Sequence, residues 1–129
     1  MKLAKLGDLN FAYVDKGSGD VLVLLHGFPL NREMWKHQIS EFAKTHRVIA
    51  PDLRGHGGTD VTVGTVTMAN MALDVARLLD HLEVTTPVSL GGLSMGGYVA
   101  WEFWLQFPER VANLLLFDTR AVADTETVA

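Results

Sequence analysis

The stretch Val21-Leu22-Val23-Leu24-Leu25 is apolar at every position. Continuous rather than alternating hydrophobicity is what a strand covered on both faces requires, so this run predicts a central strand of a parallel sheet. Before it, residues 3–6 and 9–14 flank Gly7-Asp8 and predict a short hairpin, with the glycine-rich run 16–20 as the next turn. After it, residues 34–43 carry Trp35, Ile39 and Phe42 at helical spacing, behind Asn31 as a cap. Residues 47–50 predict another short strand, ended by Pro51, and a polar, glycine-rich loop follows over 52–64. The clearest helix covers 68–82, where Met68, Met71, Ala72, Val75, Leu78, Leu79 and Leu82 recur at i, i+3, i+4, i+7 while Asp74, Arg77, Asp80 and His81 fall elsewhere. Such a stripe is a core face. Val88, Ser89 and Leu90 after Pro87 predict a strand, 98–107 a helix stopped by Pro108, and Val111–Phe117 a last apolar strand ending at Asp118.

A hairpin followed by strands alternating with helices predicts an α/β fold, a mostly parallel sheet of about six strands flanked by helices. Ligands of such sheets bind beyond the carboxyl ends of the strands, where His26, Asp52, Ser94 and Asp118 all fall. With 129 residues, 48% hydrophobic and 20% charged, the chain is expected to form one domain over 1–129 with a real core. No apolar run approaches the length of a membrane span, and the first five residues lead into Gly7-Asp8 rather than an apolar signal region. The expectation is a cytoplasmic protein. The absence of cysteine excludes disulfide scaffolds and thiol catalysis. A net charge of −4 from scattered residues argues against nucleic acid or anionic lipid and leaves a small molecule as the expected partner. Composition shifts only in the polar tail 123–129.

The segment that states a chemistry is Gly91-Gly92-Leu93-Ser94-Met95-Gly96-Gly97, between the predicted strand and helix. A serine on a sharp strand-to-helix turn needs small neighbours two residues to either side, because the backbone folds back on itself there. Gly92 and Gly96 supply that space, giving G-x-S-x-G, a nucleophile elbow. The turn would lift the Ser94 hydroxyl out of the sheet, and the following helix would aim its first N–H groups at an oxyanion formed there. The alternative is a glycine-rich turn in which Ser94 is merely an N-cap.

All five histidines, His26, His37, His46, His56 and His81, precede Ser94. His37 and His81 fall on polar helix positions and His46 in a loop. His26 and His56 lie at strand ends near the presumed site, and each is either a loop-ordering hydrogen-bond donor or, less conventionally, a base. No pair has metal-ligand spacing with a carboxylate, and neither G-x-G-x-x-G nor a Walker loop occurs, so no metal and no cofactor is expected.

Three segments agree: His26-Gly27-Phe28-Pro29, Asp52-Leu53-Arg54-Gly55-His56-Gly57 and Gly92-Leu93-Ser94-Met95-Gly96, each after a predicted strand. Together they closely resemble the N-terminal half of an α/β-hydrolase of the esterase, enol-lactonase and haloperoxidase-like type, so the expected fold is a truncated α/β-hydrolase core. The resemblance implies Ser94 as nucleophile and an oxyanion hole made by the backbone N–H groups of Met95 and Phe28. Gly27 would let that loop approach Ser94. The family's triad runs Ser, then Asp or Glu, then His in chain order, and no histidine follows Ser94 here. Asp118 matches a place where some members carry their acid; the alternative is a strand-end aspartate capping the turn at Thr119-Arg120.

Two functions therefore stay open. One is a weak or conditional hydrolase of small carboxylic esters or lactones acting through Ser94, its base coming from a second chain, a partner subunit, or an unorthodox His26 or His56. The other is a non-catalytic hydrolase-fold module that self-associates or complements a C-terminal half-chain. If Val111–Phe117 ends the sheet, its unpaired edge predicts a homodimer or larger assembly, joined there and through the apolar helix beside it.

Overall fold

The computed structural model describes residues 1–117. It has six strands, β1 (Lys2–Leu6), β2 (Leu9–Lys16), β3 (Val21–Leu25), β4 (Arg47–Pro51), β5 (Val88–Leu93) and β6 (Val111–Phe117). Three helices accompany them, α1 (Lys36–Phe42), α2 (Met68–His81) and α3 (Met95–Gln106). The strands form a single sheet in the order β1-β2-β4-β3-β5-β6. β1, β2 and β4 are antiparallel neighbours, and β4, β3, β5 and β6 run parallel. This is the expected hairpin-plus-parallel architecture.

Every residue of β3 is buried, which is why its sequence has no polar position. Its odd members Val21, Val23 and Leu25 face a large core with Ile49, Leu90 and the inner faces of α2 and α3. Leu22 and Leu24 point the other way, to a smaller core with Val48, Ala50, Trp35 and Ile39. The stripe on α2 is buried as its periodicity predicts, and Thr67 closes its start with a capping box, accepting from the Asn70 N–H at 3.0 Å while Asn70 Oδ1 accepts from the Thr67 N–H.

Three local readings need correction. The 34–43 segment begins as a 3-10 turn over Arg32–Trp35, and the α-helix proper is only Lys36–Phe42. Phe42, read at helical spacing with Trp35 and Ile39, is not buried as they are and stays 43% exposed at the rim of an apolar cavity of about 210 Å³ lined by α1, Leu22, Leu115 and Phe117. Asp74, expected on the polar side of α2, is buried, because the Arg54 guanidinium from the 52–64 loop takes its carboxylate bidentately at 2.9 and 2.6 Å.

Candidate active site

β5 and α3 meet at Ser94, whose backbone lies at φ 51° and ψ −112°. A non-glycine residue there is strained, and the surroundings must hold it. Gly92 and Gly96 do so by close approach: a Cβ on Gly92 would overlap the Gly96 carbonyl, and one on Gly96 would overlap the Leu25 carbonyl. The Ser94 N–H donates to the Phe117 carbonyl at 3.0 Å, and its own carbonyl accepts from Gly97 and Tyr98 in the first turn of α3. Ser94 is exposed. Met95 is the first residue of α3, so its N–H belongs to the helix end that has no partner within the helix.

The loop after β3 comes to the same place. A Cβ on Gly27 would sit 3.2 Å from the Leu93 carbonyl and 3.6 Å from Ser94 Cβ, so the backbone leading to Phe28 runs directly against the elbow. The Phe28–Pro29 peptide is cis, and the Phe28 side chain is 70% exposed. The loop is tied down by the Leu30 N–H to the Gly27 carbonyl, 2.9 Å.

His26 is fully buried, with both ring nitrogens engaged by main chain. Nδ1–H donates to the Gly27 carbonyl at 2.9 Å, and Nε2 accepts from the Leu53 N–H at 2.9 Å. That pattern fixes the neutral tautomer and ties the β3 loop to the β4 loop. It leaves no lone pair for a serine proton. Burial, the dominant effect, lowers the pKa of His26 below its ordinary 6.5; the Gly27 bond opposes this, the His56 charge reinforces it and Asp52 opposes it more weakly. The sequence's catalytic candidate among the histidines thus has the geometry of its alternative, the loop-ordering residue. Asp118 lies outside the described residues.

Asp52, placed by the sequence at a strand end near the site but given no role there, is the group that anchors these loops. Asp52, fully buried at the end of β4, accepts from the Arg32 N–H at 2.7 Å, from the Gly58 N–H at 2.9 Å and from Arg32 Nη1. A Cβ on Gly57 would overlap the same carboxylate, which explains a glycine there at φ 51°. The one available signal was an aspartate at a strand end followed by a glycine pair; its partner Arg32 is remote in sequence.

Comparison with known proteins decides the family. The model of the alpha/beta hydrolase fold matches residues 20–127. The chain belongs to the α/β-hydrolase fold family. Among its relatives, 3-oxoadipate enol-lactonase 2 of Acinetobacter baylyi is 33% identical over 113 residues, 88% of this chain and 42% of that protein. Human epoxide hydrolase 4 is 34% identical over 114 residues, 85% of this chain and 31% of that protein. Among solved structures, a thermophilic esterase from Thermogutta terrifontis superposes with a TM-score of 0.91 at 48% identity, covering 96% of this chain and 46% of that one. This α/β-hydrolase chain therefore spans less than half the length of the relatives it matches. No helix among the described residues is long and apolar enough to cross a membrane.

Proposed function

We propose that this chain is the nucleophile-bearing part of a serine hydrolase for small carboxylic esters or lactones. The observation that carries the reading is the Ser94 turn: an exposed serine on a strained backbone, held by two glycines that admit no side chain, at the carboxyl end of a parallel strand. Relatives that include an esterase and an enol-lactonase support that substrate class. In the proposed reaction Ser94 Oγ bonds to the acyl carbon, the carbonyl π electrons move onto oxygen, and the oxyanion takes the N–H groups of Met95 and Phe28. Collapse of that intermediate expels the alkoxide, which leaves protonated, and water then releases the acid and restores Ser94. His26, with both ring nitrogens engaged by main chain, does not take the hydroxyl proton, which passes to water or to a base outside the described residues. Where no base takes that proton the reaction is slow, since a serine hydrolase stripped of a triad member keeps roughly 10³–10⁴ over the uncatalysed rate.

A fluorophosphonate probe tests this directly, because Ser94 Oγ displaces fluoride at phosphorus and becomes labelled. Labelling of the wild type and its loss in Ser94→Ala are expected, with added imidazole accelerating p-nitrophenyl ester cleavage by the wild type above the Ser94→Ala background. Labelling that survives Ser94→Ala would sink the proposal. A second reading, a module that associates without turnover, draws on β6, where Ala112, Asn113, Leu115 and Phe117 are exposed along the edge of the sheet. Absent labelling of a well-folded wild type would favour it.

A further inference from the structure

Beside the elbow, three rings from two loops form a ladder. The buried His26 lies 5.1 Å from His56 between ring centroids, tilted by 57°. His56 in turn meets Phe28 at 5.8 Å and 86°, edge to face. Its ring is held from behind, since Nδ1–H donates to the Arg54 carbonyl at 3.1 Å and the Arg54 side chain is clamped to Asp74 on α2. Phe28 itself contributes nothing to the core at 70% exposure, yet its backbone follows Gly27, which packs on Ser94. A large apolar ring left in water at that point, with its orientation fixed by one aromatic partner, is suited to contact with a bound molecule.

We propose that His56 is a positioning residue that holds the Phe28 ring as an apolar wall beside Ser94, selecting substrates with an extended apolar acyl chain over acetyl-sized ones. The inference rests on Ser94 as nucleophile and adds what the site prefers. His56 acts through Phe28 and touches no reacting atom. Its neutral ring suffices for the edge-to-face contact, so phenylalanine at 56 preserves the wall and alanine releases it.

The test is the ratio of second-order labelling rates for two fluorophosphonates, one with a methyl and one with a long alkyl group on phosphorus. Wild type is expected to favour the long-chain probe. Phe28→Ala should lower that preference by about tenfold, the scale of discrimination an apolar contact gives, read as the ratio of the two probes within the same variant so that any change in the oxyanion hole common to both cancels. His56→Ala should lower it similarly and His56→Phe should restore it, with unchanged melting temperatures for the exposed Phe28 variant. An unchanged ratio in Phe28→Ala, or a His56→Phe variant no better than His56→Ala, overturns the inference while leaving the nucleophile in place. No labelling of the wild type by either probe overturns the nucleophile reading and the wall with it.

Discussion

Between the Gly27 carbonyl and the Leu53 N–H, the His26 ring has room for one proton only. A second proton, on Nε2, would point at the Leu53 donor inside a buried loop junction. The folded-state pKa is accordingly lowered, chiefly by burial, from 6.5. The sign follows: above that ordinary value both folded and unfolded chains carry a neutral ring, and the contribution to stability is complete. As the pH falls below it, the unfolded chain takes up a proton that the folded chain refuses, and stability is lost down through the lowered folded value. His26→Asn should cost about 1–3 kcal/mol at neutral pH, by disturbing the bond to Leu53. It should also flatten the acid side of the stability curve, as urea titrations across a pH series would show; an acid limb identical to the wild type's would assign that dependence to other groups. The loop-ordering job of His26 was legible as an alternative because a histidine at a buried strand end needs partners. Asp52 was not, since the Arg32 donors that neutralise it come from a turn that only the folded sheet brings near.

The glycines at 92 and 96 belong to the geometry of two elements meeting. Each position is filled by backbone from another segment, so valine at either must push β5, α3 or β3 apart. Gly92→Val and Gly96→Val are expected to lose on the order of 3 kcal/mol or more and to fall in soluble yield, measured by thermal melting beside Ser94→Ala, whose fold should persist. Equal melting of the valine variants and the wild type would mean the turn is looser than these contacts allow. The elements around this turn were readable because their signals are local: the α2 stripe, the apolar β3 run, the glycine spacing. Boundaries shifted where tertiary contacts intervene. β4 runs on through Pro51 because that residue pairs with Tyr13, and α3 starts at Met95, ahead of the apolar residues from Tyr98 that announced it. Asp74 reads as solvent-facing by charge alone; its burial depends on Arg54, which the 52–64 loop delivers from outside the helix.

Across the whole molecule the two faces of the sheet are unequally dressed. α2 and α3 cover one face, and α1 with its leading 3-10 turn covers part of the other. Leu115 and Phe117 of β6 remain 39% and 43% exposed, at a strand that has a neighbour on one side only among the described residues. On the proposal of self-association through this edge, light scattering at micromolar concentration should give a dimer or larger species, and Leu115→Lys should return it to monomer by placing a charge on the contact. A monodisperse wild-type monomer with no partner added would rule that assembly out.

The strand order has a further consequence for how the chain is made. β3 sits between β4 and β5, yet β5 lies far along the sequence from it, after α2. A ribosome therefore releases Val21–Leu25 well before the strand that closes its second side exists. Throughout that interval one flank of this wholly apolar strand has no pairing partner of its own. Nascent β3 is the segment where holding chaperones and stray strands of neighbouring chains compete with folding, and the pace of synthesis between Pro51 and Val88 sets how long the competition lasts.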